Sequence, residues 1–559
     1  MLLAVVPAAG QGEPEYLFQL LTAAGEPAGE PTAATMAELA ATAGGAAGPR
    51  WAFESVAAGY PPMSEAGLRV RRAHDVGLTE RILLGRAGRF GEPISARAVL
   101  ARRDGLEVPD DPAAPPGHAE VLPSLFDTSP PPAPPSERLA ALIGAVRDQL
   151  DRTGDEFALK LLLAAESGAA LAAVEMTRAG LPFDAAIHRA QLTALIGDRP
   201  APGMRPRVLA ELATEIEAAM GFPLNPDSPA DLLVAFRRLG YDVASARAHA
   251  LERLDHPAVP LVLHYKELAR LAAANGWAWL DEWVTDGRFR AGYVPGGVVS
   301  GRWAARGGGG LQLPRSVRPA VLADPGHLLV VADAAQLEPR VLAAISTDPV
   351  LRRAADDEDL YGALTGADGG FADRAQAKVA MLGAMYGATS GQAGQLLGRL
   401  RERYPVAMSY LETAAATGER GGAVRSVLGR ASPPPGPGWW STVTAGSRPD
   451  ADAAAERHAR EAARGWGRFT RNFVVQASAS DWASVWLSLV RTGLPDLPGA
   501  ELVLFQHDEI LVHTPAELAD PIATLLVTAA EQAGRLVFGD RAPRLPVRPV
   551  AVRCYADAK

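Results

Sequence analysis

Two acids stand where apolar strands could deliver them to a common edge. Leu328-Leu329-Val330-Val331-Ala332-Asp333 is an apolar run ending in an acid, and it reads as a buried strand with Asp333 at its open end. Leu502-Val503-Leu504-Phe505 and Ile510-Leu511-Val512-His513 read as two further strands, joined through Gln506-His507-Asp508-Glu509. That is a tight hairpin with acids at its tip, without the usual Asn-Gly signal. If these strands share a sheet, Asp333 and Asp508 sit side by side. Two adjacent carboxylates in a poorly solvated cleft repel and need a cation, and hard oxygen ligands favour magnesium or manganese. A pair of ions about 4 Å apart could activate an attacking hydroxyl and stabilise a leaving pyrophosphate. Taken alone, an acid at a strand end is more often a turn or solvent residue.

Two helical stripes add to this. Arg374, Lys378, Leu382 and Tyr386 stand four residues apart and share one helix face. The two cations could grip the phosphates of a nucleotide, and the apolar and aromatic side chains could pack on its base or on a template. A flexible ammonium at Lys378 suits phosphate neutralisation or proton donation to a leaving group. The plain alternative is an amphipathic helix with a solvated basic end. Arg468, Asn472 and Gln476 repeat the spacing with Asp481 just beyond, and their side chains suit phosphate, sugar and minor-groove acceptors.

The elements that must position these residues can be read along the chain. Residues 1–126 form one unit, a small α/β domain, in which Met1-Leu2-Leu3-Ala4-Val5-Val6 reads as a first strand rather than a signal peptide. Asp127 to Ser136 is Pro-rich, so 127–137 is expected to be a linker between domains. From about 137 to 280 the pattern is helical, with Phe157–Met176 and Val208–Met220 periodic and Ser228-Pro229 a helix start. Residues 293–346 turn Gly-rich and then strand-like, 350–420 are helical, and 431–451 are expected to be an irregular loop. A helix over Arg457–Leu489 precedes the strand pair.

Composition sets the outer bounds. The chain has 559 residues, 48% hydrophobic and 21% charged, enough for two to four globular domains. A single cysteine, Cys554, excludes a disulfide framework and a cysteine-based zinc site. No transmembrane span is expected, and a cytosolic protein is the simplest reading. The net charge of -9 argues against nucleic acid on average, but phosphate contacts depend on local charge. Only four of the 55 basic residues are lysines, which makes Lys378 more informative than usual.

Together these segments resemble the bacterial DNA polymerase I family, family A, in its two-domain actinobacterial type. Asp333-Ala334-Ala335-Gln336-Leu337-Glu338-Pro339-Arg340 is similar to the first palm motif, Arg374 through Tyr386-Gly387 to the fingers helix, and His507-Asp508-Glu509 to the last palm motif. Ser300-Gly301-Arg302, Leu311-Gln312-Leu313-Pro314, Tyr404-Pro405, Gly429-Arg430, Glu175-Met176 and Leu224-Asn225 fit in the same order. The resemblance implies a right-hand fold of palm, fingers and thumb over 138–559, preceded by a degenerate ribonuclease H-like 3'-5' exonuclease domain, without a flap-nuclease domain. The thumb would cover about 166–292, the palm 293–346 and 490–559, and the fingers 347–489. It implies a DNA-directed DNA polymerase that adds dNTPs to the 3'-hydroxyl of primer-template DNA. Asp333 and Asp508 would bind two Mg2+ ions, or Mn2+, with Glu509 in support. Arg374 and Lys378 would contact the triphosphate, Lys378 acting as acid, with Leu382, Tyr386 and Gln336 at the nucleotide and Glu338 as a steric gate. Arg302, Gln312, Arg468, Asn472, Gln476 and His507 would hold DNA. A monomer in the cytoplasm at the nucleoid, working in repair or replication, is the corresponding expectation.

The departures are as definite. Leu382 replaces a usual aromatic, Met381 a common Asn, Pro339 an aliphatic and Phe505 a common Gln, and Gly307–Gly310 replaces polar residues. A proofreading site of this family opens with Asp-x-Glu on the first strand, yet residues 1–50 contain no Asp. His74-Asp75 is at most a remnant of a later motif, so the front domain is expected to be a scaffold without nuclease activity. The rival readings are an RNA polymerase or reverse transcriptase with the same palm, and an inactive primer-template DNA-binding protein that keeps the fold.

Overall fold

The computed structural model describes residues 1–8, 15–43, 48–112, 133–311, 313–366, 370–387 and 391–558. They form two compact units. One comprises Met1–Arg178, Tyr293–Ala304 and Val330–Ala551, and the other Ala179–Gly292, Ala305–Leu329 and Val552–Lys559.

The first unit opens with a five-stranded sheet. Its strands are β1 (Leu2–Ala8), β2 (Glu15–Leu21), β3 (Thr32–Ala34), β4 (Arg50–Phe53) and β5 (Ala73–Asp75), in the order β3-β2-β1-β4-β5. β1 runs antiparallel to β2 and parallel to β4. Because side chains alternate across a strand, the unbroken apolar run of β1 feeds two cores. Leu3 and Val5 join Trp51, Phe53 and Tyr60 on one face, and Leu2, Ala4 and Val6 join Leu139, Leu142 and Val146 on the other.

That second core corrects the domain boundary expected at 127–137. Leu139, Leu142 and Val146 belong to helix α2 (Pro135–Thr153), which follows helix α1 (Val76–Arg86) in the unit. On this face α2 joins Val76, Ala96 and Val99 in covering the front sheet, and the compact unit runs on through Arg178. The helix also begins inside the Pro-rich stretch. Pro135 sits at its first position, where a missing N–H costs nothing.

Helix α3 (Phe157–Ala179) is long and apolar enough, by length and composition, to cross a membrane, where no such span is expected from the sequence. Its Ala170 and Leu171 pack into the front core, and it carries two acids, Glu166 and Glu175, at 2% and 9% exposure.

The second sheet of this unit has the order β7-β8-β6-β9, with β6 (His327–Asp333), β7 (Glu501–Gln506), β8 (Glu509–Pro515) and β9 (Val550–Val552). β7 and β8 are the expected antiparallel hairpin, in register from Glu501↔His513 to Gln506↔Glu509, with an irregularity between Leu502 and Leu504. The unit also holds α4 (Leu337–Ser346), α5 (Arg374–Tyr386), α6 (Pro437–Gly446) and α7 (Ala453–Gly493). α7 has 41 residues, which at about 1.5 Å per residue makes it roughly 60 Å long, beyond the expected 457–489 at both ends. α6 corrects the loop expected over 431–451. Pro437 starts it, Trp439 Nε1 donates to Ala462 O of α7 at 2.9 Å, and Gly446 lies so close to Ala459 that a Cβ would come within 2.3 Å. Tertiary packing overrides the local Pro/Gly signal there.

The second unit is mostly helical, built on Ala185–Ile196, Arg207–Met220, Pro229–Arg238 and Ala258–Asn275 around Leu192, Ile216, Phe236, Val262 and Tyr265. Ser228 caps the helix that Pro229 begins, as its sequence indicates, by accepting from Asp231 N. The glycines at 307 and 308 have positive φ and lie against Trp283; a Cβ on Gly307 would come within 2.2 Å of that ring.

Candidate functional site

β6 is buried from Leu329 through Ala332 and emerges at Asp333, which is half-buried. The β7–β8 turn presents Asp508 beside it, and Ala334 N donates to Asp508 O at 2.9 Å. This bond fixes the backbones of the two acids against each other. His507, the first turn residue, takes φ of +59, a left-handed conformation that is unusual for a non-glycine residue and often marks a functional turn.

The two acids line a cleft of about 290 Å³ together with Arg302, Gln336, Glu338 and His507. Leu382 and Tyr386 enter from α5, Tyr361 from the short helix Leu360–Ala363, and Ala479 and Ser480 from α7. The donor set suits a hard divalent cation: two half-buried carboxylates face a polar cleft. Among the described residues no cluster of three or more His, Cys, Asp or Glu completes an all-protein cage. Such a pair of acids fits a hard divalent ion that takes its remaining ligands from outside the protein.

Glu338 is held from two sides. Arg302 Nη2 donates to Oε1 and Tyr386 Oη donates to Oε2 at 2.9 Å. Burial, and then the Glu338 charge, push the Tyr386 hydroxyl up to about 12, so it remains a donor across the working pH range. Burial first, and then Arg302, hold the His507 imidazole below its ordinary value, with Glu338 opposing them.

α5 is capped by Asp373, which accepts from Gln376 N, and ended by Gly387 at φ +70. Its stripe divides. Leu382 and Tyr386 reach the cleft, whereas Arg374 and Lys378 stay exposed beyond its lining. Arg374 Nε donates to Asp359 Oδ2 at 2.8 Å, and its guanidinium lies 5.7 Å from the centre of the Tyr361 ring. Gln336 lines the cleft, but its amide is engaged by the protein: Nε2 donates to Asp359 Oδ1, and Oε1 accepts from Leu360 N and Arg340. Arg340 is wholly buried and donates to the carbonyls of Ala335, Ala355, Asp357, Glu358 and Arg544, which anchors the segment that follows β6.

Of the α7 stripe, Arg468 is exposed, while Asn472 and Gln476 are half-buried. Gln476 Oε1 accepts from Ser300 Oγ at 2.7 Å. The three lie outside the cleft lining, three or more residues before Ala479 and Ser480 on the same helix. Glu509 begins β8 at 4% exposure, away from the lining. Gln312 lies outside the described residues.

Two contributors escaped sequence reasoning. Tyr361, 5% exposed, walls the cleft, and Asp359 ties Gln336 to Arg374. Asp356-Asp357-Glu358-Asp359 looks like a solvated acidic turn, and only the fold shows which of its carboxylates turns inward. The departures also acquire places. Leu382 forms cleft wall, Pro339 stands in the first turn of α4 where no helical N–H is needed, and Phe505 meets Trp303 edge-on at 4.8 Å. In the front sheet, Asp75 accepts from Val56 N at 2.7 Å and Leu78 N at 2.9 Å, and His74 Nε2 bonds Gln149 Oε1 at 2.9 Å. Both residues are spent on local structure.

Comparison with known proteins matches this arrangement. The chain is 27% identical over 368 residues to a thermostable DNA polymerase I of Thermus filiformis, covering 58% of this chain and 41% of that protein. It is 25% identical over 372 residues to DNA polymerase I of Deinococcus radiodurans, covering 59% and 36%. It thus spans about two-fifths of the length of these curated relatives. The solved POL domain of Pol1 from M. smegmatis, in complex with DNA primer-template and dNTP, has the same fold, with a TM-score of 0.70 and 19% identity over 100% of this chain and 95% of that one. The family model for DNA polymerase family A matches residues 206–539, a span that holds Asp333, the α5 stripe and Asp508 in order. With the two acids, Glu338, Leu382 and Tyr386 brought to one cleft inside that span, the chain belongs to DNA polymerase family A.

Proposed function

We propose that this chain is a DNA-directed DNA polymerase that extends a primer on primer-template DNA with dNTPs. The observation that carries the reading is the single cleft in which Asp333 and Asp508 lie beside Glu338, Leu382 and Tyr386. Family membership, and the DNA and dNTP named for the M. smegmatis structure, support it. The reaction is attack of the primer 3'-hydroxyl on the α-phosphate of a dNTP with departure of pyrophosphate.

Asp333 and Asp508 would hold two divalent cations, Mg2+ or alternatively Mn2+. When bound, these supply Lewis-acid activation of the hydroxyl and charge balance for the pyrophosphate. The chain's own residues do the rest by positioning and electrostatics. Arg374 and Lys378 take the triphosphate; Arg374 exchanges its Asp359 partner for phosphate, and Lys378 gives a proton to the departing pyrophosphate. Glu338, fixed by Arg302 and Tyr386, crowds a ribose 2'-hydroxyl. Leu382 and Tyr386 meet the nucleotide and the template base. Arg302, Gln312, Arg468, Asn472, Gln476 and His507 hold the duplex, and Glu509 supports the acids from within β8. In these terms the thumb lies over 166–292, the palm over 293–346 and 490–559, and the fingers over 347–489.

The front sheet would serve as scaffold without proofreading. Its β3-β2-β1-β4-β5 order supports a ribonuclease H-like origin, and the acid-free β1 together with the backbone-bound Asp75 supports the loss of nuclease activity. A monomer at the cytoplasmic nucleoid, in repair or replication, completes the proposal.

Primer extension with Mg2+ tests it, comparing the native chain with Asp333→Ala and Asp508→Ala. Each substitution is expected to remove at least roughly two to three orders of magnitude of activity, the scale of lost transition-state electrostatics. Unchanged extension by both would sink the assignment.

A further inference from the structure

Behind the cleft lies a buried ion cluster made by three elements far apart in sequence. Glu166 of α3 is 2% exposed, Arg430 8% and Asp481 of α7 0%. Arg430 Nη2 donates to Glu166 Oε1, and its Nε faces Asp481 Oδ1 at 3.4 Å. The other Asp481 oxygen accepts from Leu428 N at 3.2 Å. A buried arginine between two acids is costly to desolvate, and its planar fork allows each side to be engaged at once.

The segment 296–302 rests directly on this cluster. A Cβ on Gly301, at φ +84, would come within 2.6 Å of Arg430 Nε and 2.7 Å of Cζ. One on Gly296, at φ +57, would come within 2.9 Å of Glu166 Oε2. Glycine is required at both points because the backbone lies flat against the ion pair in a left-handed conformation. From that contact the same segment sends Ser300 to Gln476 at 2.7 Å and Arg302 to Glu338, whose other oxygen takes Tyr386.

We infer that Arg430 is a positioning residue. Clamped between Glu166 and Asp481, its guanidinium is the floor that sets the height of the 296–302 segment and so the place of Arg302, Glu338 and Ser300. Arg430 lines no part of the cleft. It acts through Gly301 and Arg302, and the specificity it protects is that of the gate. The inference rests on the polymerase reading above and goes beyond it by assigning selectivity to a residue that touches neither DNA nor nucleotide.

Two substitutions test it. Arg430→Lys keeps the charge but loses the fork. Gly301→Ala keeps the ion cluster and lifts the segment off it. For each variant that keeps a native melting profile, single-nucleotide insertion gives kcat and KM for a dNTP and for the matching rNTP, and fluorescence anisotropy gives the Kd of primer-template DNA. A displacement of the order of 1 Å at a positioning group costs up to about a hundredfold. We therefore expect roughly a tenfold loss of dNTP kcat/KM carried by KM, and a rise of at least about threefold in the rNTP-to-dNTP ratio. A merely structural role would leave both the ratio and the DNA Kd of the folded variants alone. If Arg430→Lys does not fold, Gly301→Ala decides. An unchanged ratio and unchanged DNA Kd in the folded variants overturn the inference. If the native chain shows no extension, the polymerase reading has failed instead, and the DNA Kd alone then decides whether the segment is displaced.

Discussion

The Tyr386 hydroxyl donates to Glu338 Oε2 at 2.9 Å, tying the last turn of α5 to the first turn of α4 across the mouth of the cleft. The tie joins the stripe expected to meet the nucleotide with the residue expected to sort its sugar. Since Arg302 holds the other oxygen, the carboxylate is fixed in orientation with or without the tyrosine.

That double hold separates two substitutions. Glu338→Ala opens the space a 2'-hydroxyl needs, and the ratio of rNTP to dNTP insertion is expected to rise by roughly ten- to a hundredfold, the range available to one shaped contact. Tyr386→Phe removes one hydrogen bond and leaves Arg302 in place, so the same ratio is expected to move by less than about threefold. Steady-state insertion of paired rNTP and dNTP substrates reads both. Equal effects would mean that the tyrosine, not Arg302, orients the gate.

Arg374 and Lys378 share a helix face but not a surrounding. Arg374 is already paired with Asp359 and is expected to bind the triphosphate equally in ground and transition states. Arg374→Ala should therefore raise KM for dNTP by about tenfold with kcat little changed. Lys378 is assigned proton transfer to the leaving group, so Lys378→Ala should lower kcat by about 10² to 10³, with a smaller change in KM. The reverse pattern would exchange the two roles.

How much of this was legible in the chain depends on distance along it. Asp333 and Asp508 were legible because each ends or turns an apolar strand, a local signal, and α5 because its four residues repeat within one helix. Lys378 and Arg374 were correctly placed on that face, yet sequence alone could not show that the face leaves the cleft before it reaches them. The Glu166–Arg430–Asp481 cluster was not legible at all as a site: its members are 264 and 51 residues apart, and no local pattern marks an acid that will be buried. The boundary at 127–137 misled for a related reason. Proline composition reports chain stiffness, whereas the unit is closed by Leu139, Leu142 and Val146 filling one face of the front sheet.

The front sheet carries a pH prediction with two opposed signs. Burial pushes His74 down to about 4 and pushes Asp75 up to about 6, outweighing the backbone N–H groups of Leu78, Val56 and Gly77 and the Arg81 charge, which favour the Asp75 anion. His74 is thus neutral in the fold, and its contribution, complete above its ordinary value near 6.5, is lost as pH falls through 4. Asp75 contributes stability that is complete below its ordinary value near 4 and is lost as pH rises through 6. Between pH 6.5 and 4 the two nearly cancel; each alone corresponds to about 3 kcal/mol at roughly 1.4 kcal/mol per unit. Relative to the native chain, Asp75→Asn should therefore melt progressively lower as pH is taken from 6.5 to 4, and His74→Gln progressively higher. Parallel curves for all three proteins would show that neither group titrates in this window.

The last prediction concerns what fastens the front sheet to α7. Arg491 is 3% exposed; its Nε and Nη2 donate to the two Glu175 oxygens at 2.9 and 2.6 Å, and its Nη1 and Nη2 reach Arg71 O at 3.1 Å and Val70 O at 2.5 Å. Tyr60 of the front core donates to the same Glu175 at 2.8 Å. The nearby Arg491 charge holds the Glu175 carboxyl below its ordinary value despite burial, so the pair is ionised. Removing one member strands a buried charge, and Glu175→Ala or Arg491→Ala is expected to cost about 3–5 kcal/mol. Replacing both with apolar residues, Glu175→Leu with Arg491→Met, leaves no stranded charge and should recover at least about half of that loss, a coupling visible in a double-mutant cycle of melting temperatures. The front carbonyls of Val70 and Arg71 lose their donor in every Arg491 variant. Proteolysis near residues 60–75 should therefore quicken in Arg491→Ala even where Glu175→Ala matches it in stability. Additive single losses in the double variant would show that the pair is not coupled, and that the front sheet is held by its apolar cores alone.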